Sequence, residues 1–262
     1  MSMVLHVSDP HFGTEVPEVV EALARLAGRL RPDLVVLSGD ITQRARAAQF
    51  QAARAFMDRL GAPLLAVPGN HDIALFDLWT RLTRPYAHHR AAFGDDLEPV
   101  FATPGLMVLA VNTTRAHRHK NGEVSARQIG RVAEQLARAT TAQLRVVVVH
   151  QPIEVARAQD VHDRLIGHRA AQTAWAAAGA DVVLGGHIHL PYVMALPGLA
   201  RPMWAVQAGT AVSRRVRPGV PNSVNVLRWH ADEGVCTVEQ WDFAAAQQAF
   251  VQARATRLQP AR

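Results

Sequence analysis

Leu64-Leu65-Ala66-Val67-Pro68-Gly69-Asn70-His71-Asp72 is an apolar run that stops at a proline and a glycine and then sets out three side chains able to bind metals or protons. Four apolar residues closed by turn residues read as a buried strand, so Asn70, His71 and Asp72 follow directly on a strand end. Asn70 beside Gly69 is by itself only a turn signal. Recurrence gives it weight. Val4 to Val7 leads into Asp9-Pro10-His11, Leu34 to Leu37 into Gly39-Asp40, Val146 to Val149 into His150, and Val182 to Leu184 into Gly185-Gly186-His187-Ile188-His189. Any one of these histidines alone is an ordinary polar residue at a strand end. Together the five segments supply three Asp, one Asn and several His, oxygen and imidazole enough for two metal ions.

The stretches between the strands carry helical periodicity. Pro17 to Leu30 places Val19, Val20, Leu23, Leu26, Ala27 and Leu30 on one side behind a proline in the first turn. Ala47 to Leu60, Ser125 to Ala139 with Ser125 as its cap, and His168 to Ala178 are read as further helices, and Val108 to Val111 as another strand. Alternating strands and helices predict an α/β fold, with the polar segments at the carboxyl ends of the strands, where open α/β sheets place their ligand sites. Beyond Met203 the runs Met203 to Val206, Val224 to Trp229 and Val235 to Trp241 suggest an antiparallel tail to the sheets. The last twenty residues read two ways: alanine and glutamine favour helix, whereas Phe250 and Val251 would suit a closing strand. No repeat, linker or low-complexity segment interrupts residues 1–262, which are expected to form one domain. Residues 75–93, with Leu78, Trp79, Leu82, Tyr86 and Phe93, are expected to be a helical insertion beside the cleft.

At 262 residues the chain can bury a full core. Its lone cysteine, Cys236, excludes an internal disulfide and any thiolate cluster, so metals must be held by His, Asp and Asn. The net charge of +6 is due to arginine, Lys120 being the single lysine, and the arginines are dispersed. Such a surface attracts phosphorylated small molecules, but predicts no stable nucleic-acid partner. Met3 to Val7 already reads as strand and no stretch reaches membrane length, so a cytoplasmic protein without a membrane span is expected; a homodimer is allowed.

In order, D-x-H, G-D, G-N-H-D, a lone H after an apolar strand and G-H-x-H resemble the signature of the calcineurin-like metallophosphoesterase superfamily across residues 9–189. The short spacings and Gly39-Asp40-Ile41-Thr42 are similar to its bacterial class III cyclic-nucleotide phosphodiesterase branch. The resemblance implies a four-layer α/β/β/α sandwich of two mixed sheets. It also implies that Asp9, His11 and His189 hold one metal ion, Asn70, His150 and His187 a second, and Asp40 both. A bridging carboxylate makes physical sense, because two cations about 3.5–4 Å apart need an anion between them. Water or hydroxide between the ions would be the nucleophile. His71, outside the ligand set, is the expected proton donor to the leaving group, with Asp72 orienting its imidazole. Mixed nitrogen and oxygen ligands suit Mn²⁺, Fe or Zn²⁺ better than Mg²⁺ or Ca²⁺, and manganese is the usual activator of similar enzymes. The implied activity is hydrolysis of a small phosphodiester such as a cyclic nucleotide. UDP-diacylglucosamine pyrophosphatase, DNA nuclease and phosphomonoesterase are the alternatives within the superfamily. Non-catalytic scaffolds of this kind have lost the ligands, none of which is missing here.

Substrate selection falls outside these blocks. After Gly-Asp-Ile-Thr the better-known cyclic-nucleotide enzymes typically continue with Asp and a Gly, whereas this chain has Gln43-Arg44-Ala45-Arg46, which sets it apart from them. Arg44 is placed either to reach a second phosphate or sugar oxygen, or to be solvated at a helix start. Asn112 is expected near the metals, and Arg115 to Asn121, with His117, His119 and Lys120, reads as an exposed loop able to help bind an anion.

Overall fold

The computed structural model describes residues 1–75 and 77–262; position 76, within the expected 75–93 insertion, lies outside the described residues. Among the described residues twelve strands form two six-stranded sheets. The first contains β1 (Ser2–Val7), β2 (Leu34–Leu37), β3 (Leu64–Ala66), β10 (Ser223–His230), β11 (Val235–Ala244) and β12 (Ala249–Leu258), in the order β12-β11-β10-β1-β2-β3. β4 (Val100–Ala102), β5 (Leu106–Ala110), β6 (Leu144–Val148), β7 (Val182–Gly185), β8 (Tyr192–Ala195) and β9 (Trp204–Gln207) form the second, ordered β4-β5-β6-β7-β9-β8. Both are mixed: β1, β2 and β3 run parallel, as do β5, β6, β7 and β9, with antiparallel strands at the flanks.

The parallel strands are continuous apolar runs because both faces are covered. Val4, Leu34, Val36 and Leu227 of one sheet meet Val146, Val148 and Leu184 of the other in the middle of the molecule. Alternate residues of the same strands, such as Leu5, Val35 and Leu37, face outward onto α1 (Pro17–Leu30) and α2 (Ala47–Arg59). On the far side Val147 and Val183 pack against α5 (Ala126–Leu136) and α6 (His168–Ala177). Four layers result, each fully buried Val or Leu side chain contributing about 1.5–3 kcal/mol. α1 buries Val19, Val20, Leu23, Leu26 and Ala27 behind Pro17, and α5 opens on a capping box between Ser125 and Gln128.

The tail departs from expectation. β9 is not part of an antiparallel set beyond Met203 but runs parallel to β7, Val182 opposite Trp204. The cause is β8, a short, half-buried strand that the sequence reading did not include, which pairs antiparallel with β9 and reverses the chain between the two parallel strands. The final segment resolves to strand: pairing along β11 from Cys236–Leu258 to Ala244–Ala249 outweighs the weak helix preference of alanine and glutamine. Within the expected insertion stand α3 (Leu78–Thr83) and α4 (Ala87–Phe93). Phe93 and the buried His89 pack on Phe50 of α2, while Leu78, Trp79 and Leu82 lie exposed.

Candidate metal centre

Every expected ligand falls just beyond a parallel strand: Asp9 and His11 after β1, Asp40 after β2, Asn70 after β3, His150 after β6, and His187 and His189 after β7. The carboxyl ends of both sheets therefore converge on one place. Asp9, His11, Asp40 and His189 each bring a ligand atom within 4.8 Å of the others, and Asp40, His150 and His187 form a second such group, Asp40 belonging to both. His11 Nε2 is 3.8 Å from Asp40 Oδ2, whereas His150 Nε2 is 3.2 Å from Asp40 Oδ1. The two carboxylate oxygens thus face different groups. Asn70 Oδ1 lies 3.2 Å from His150 Nε2, which puts it with the second.

The backbone here is held in an uncommon form. Asp9, His11, Asp40, His187 and His189 all have positive φ, between 42° and 75°, a left-handed conformation costing about 1–3 kcal/mol each. Hydrogen bonds between loops hold it: Asp9 N donates to Gly39 O and His11 N to Asp40 O, both at 3.1 Å, and Gly186 N donates to His150 O at 2.8 Å. Gly39 shares the left-handed conformation (φ 95°), but Gly186 is needed for room, since a Cβ there would overlap Ser8 Oγ and Asp9 Oδ2.

Charge and hydrogen bonding orient the donors. Burial pushes the Asp40 carboxyl up, but the charge and hydrogen bond of His150, with His71 and His11, hold it well below the usual range. Asp9 is likewise pushed up by burial and drawn down to about 2 by His189 and His150. His150, its reciprocal partner, is raised to about 9: burial opposes its charge, and the Asp40 carboxylate prevails. His150 Nδ1 donates to Ser38 O at 2.8 Å, leaving Nε2 directed to Asp40 and Asn70. The His187 ring is buried, yet neither of its nitrogens has a hydrogen-bond partner among the described residues, and Asp163 Oδ1 is 3.7 Å away. An imidazole buried in that condition costs about 1–3 kcal/mol unless another atom meets it. Unmet His187, a carboxylate common to two groups and a mixed nitrogen and oxygen set fit two divalent cations.

The remaining expected residues divide. His71 lies at the cavity: its N donates to Asp40 Oδ1 at 2.9 Å, and its Nδ1 is 3.1 Å from Gln43 O. Asp72 does not orient that ring. Its carboxylate accepts from Gly69 N, Ile41 N, Thr42 N and Thr42 Oγ1 at 2.8–3.0 Å, binding the β3 loop to the β2 loop. Burial and the Asp40 charge push Asp72 up to about 7, against those backbone donors. Asn112 Oδ1 accepts from Thr114 N and Thr114 Oγ1, and the residue borders a cavity with Arg90, Arg115 and Arg131. Arg44 lines a small cavity together with His71, Arg81 and His119.

Several residues at the centre carry no sequence signal. Ser8 Oγ donates to Asp9 Oδ2 at 2.6 Å and accepts from Ser38 Oγ at 2.8 Å, and Ser38 Oγ in turn is 2.9 Å from the buried His6 Nε2. Arg215, Arg217, Lys120 and Asp163 line a cavity of about 420 Å³ with His71 and His187. Only Lys120 lies in a segment read as anion-binding; the arginines sit among many in a basic chain, and a serine before an aspartate is not distinctive.

The sequence profile of calcineurin-like phosphoesterases matches residues 2–191. A cAMP/cGMP dual specificity phosphodiesterase of Mycobacterium tuberculosis is 27% identical over 210 residues, 71% of this chain and 61% of that protein. A glycerophosphodiester phosphodiesterase of Enterobacter lignolyticus is 37% identical over 81 residues, 27% of this chain and 29% of that protein. The chain thus spans less than two thirds of either relative. Among solved structures, a dimetal phosphatase from Danio rerio superimposes with a TM-score of 0.69 at 13% identity, over 99% of both chains, a likeness of fold.

Proposed function

Because the chain belongs to the calcineurin-like phosphoesterase family, we propose that it hydrolyses a small phosphodiester, a cyclic nucleotide or similar, with two divalent cations, manganese first among them. The observation that carries this reading is the pair of ligand groups sharing Asp40, with His71 directly beside them. Asp9, His11, Asp40 and His189 would hold one cation, and Asp40, Asn70, His150 and His187 the other. When bound, two such ions supply Lewis acidity toward phosphoryl oxygens and lower the pKa of water from 15.7 to about 7. Asp40 and Asp9 contribute negative charge that is already ionised at neutral pH.

His71 is the proton donor to the leaving oxygen in this reading. Its backbone is tied to Asp40 and its Nδ1 can donate to the Gln43 carbonyl, with Nε2 on the cavity side 3.1 Å from Arg215 Nη1. Asp72 acts indirectly, by fixing the loop that presents His71. Arg44 and Arg81 belong to the rim on which the rest of the substrate would rest. Diesters are favoured because both relatives named above are phosphodiesterases.

Catalytic efficiency with Mn²⁺ on bis(p-nitrophenyl) phosphate, p-nitrophenyl phosphate and cyclic nucleotides tests the proposal. The diester is expected to exceed the monoester; the reverse order would make the protein a phosphatase. His71→Ala is expected to lose about 10²- to 10⁴-fold on a ribose or alkyl ester. The loss should be small on nitrophenyl esters, whose leaving group departs without a proton. A second reading, a lipid-linked pyrophosphate substrate, is favoured by exposed Leu78, Trp79 and Leu82 on α3, whose Arg81 reaches the His71 cavity. UDP-diacylglucosamine in the same assay discriminates the two.

A further inference from the structure

Three cationic side chains border the cavity that holds His71, His187 and His189. Two are neutralised where they stand. Lys120 Nζ is 2.5 Å from Asp163 Oδ1, and Arg217 pairs with Asp160 Oδ1 at 2.9 Å while also donating to Ile188 O at 3.3 Å. Arg215 differs, having no carboxylate partner among the described residues. Its Nη1 lies 3.0 Å from Gln43 Oε1, 3.1 Å from His71 Nε2 and 3.4 Å from His11 Nδ1, while its Nε and Nη2 have no hydrogen-bond partner among the described residues.

The position is built. Between β9 and β10, Arg215 N donates to Ser213 Oγ and Arg215 O accepts from Thr210 Oγ1, both at 3.0 Å, from two buried residues. Asn222 Nδ2 fixes the same loop by donating to Ser213 O at 2.8 Å. A half-buried guanidinium held over imidazoles, without an anion, is poised for one.

We propose that Arg215 grips the phosphoryl group, its Nε and Nη2 donating to a non-bridging oxygen of the ester and of the phosphorylated product, a phosphomonoester from a diester or phosphate from a monoester. The inference rests on the phosphoester reading of the site and adds to it a contact that no metal ligand supplies. A monoester dianion carries more charge than a diester, so Arg215 matters more for monoesters and for phosphate than for diesters.

Calorimetric titration of inorganic phosphate into the Mn²⁺-loaded protein tests this directly. Arg215→Ala should weaken phosphate binding by about tenfold or more with both ions still bound, and Arg215→Lys should recover part of it. Turnover by the alanine variant should fall more on p-nitrophenyl phosphate than on its diester, and added guanidinium should restore it. Arg217→Ala, which removes a neutralised cation, should change phosphate affinity less. Unchanged phosphate affinity in Arg215→Ala, no phosphate binding by the wild type, or loss of a metal ion on the substitution would each overturn the proposal. A wild type that binds phosphate through Arg215 but cleaves none of the esters would instead overturn the hydrolase reading and leave the contact standing.

Discussion

His150 is a residue at which a proton and a cation would compete. Its Nε2 proton is stabilised by the Asp40 carboxylate up to about pH 9, and the same lone pair is wanted by a metal. Proton and cation compete, so metal affinity should rise with pH, by up to about tenfold per unit, and level off near pH 9. Competition titrations with a chelating dye between pH 6 and 9.5 measure this; a flat profile would show that His150 is not a ligand. The residues meeting at Asp40 were legible in the sequence because each follows a strand and matches one block of an ordered set. Asp72 was misjudged because adjacency in sequence was read as adjacency in space. In the short 3-10 turn Asn70–Asp72, successive side chains point about 120° apart, so His71 faces the cavity and Asp72 the loop of β2. Arg215 was illegible for a different reason: one arginine in a basic chain has no distinguishing neighbour, and its significance comes from carboxylates it lacks.

At the level of strands and loops, the chain from His6 through Ser38 and Ser8 to Asp9 joins the ends of β1 and β2 beneath the ligand group. Ser8→Ala removes the donor at 2.6 Å from Asp9 Oδ2 and is expected to weaken metal binding at the Asp9 group by about 10–100-fold, while the second group keeps its affinity. Calorimetry resolving the two sites, set beside the melting temperature, separates this from general destabilisation; equal weakening at both sites would contradict it. Strands buried on both faces announced themselves as apolar runs. β4 and β8 are apolar as well, but they are only three and four residues long and partly exposed, so they did not stand out, and without β8 the direction of β9 could not be read. Tertiary pairing alone decided β12.

Across the whole molecule the candidate ligands divide between the sheets, Asp9, His11, Asp40 and Asn70 from one and His150, His187 and His189 from the other. Cations held by both sets would join the two sheets at their carboxyl ends, where the left-handed loops store strain. The melting temperature should therefore rise with Mn²⁺ and fall with a chelator, by an amount equivalent to about 2.7 kcal/mol for each site at a hundredfold excess over its dissociation constant. Differential scanning calorimetry with and without chelator checks it, and identical curves would exclude metal binding at this site.

The placement of the cationic side chains has a historical consequence. Candidate ligands terminate buried strands, where a substitution disturbs the packing beneath, whereas Arg44, Lys120 and Arg215 hang on connecting segments that tolerate change. Selection can therefore rewrite which ester is preferred one loop at a time while the inorganic heart is inherited intact, and lineages carrying the same ligand set can come to differ widely in diet.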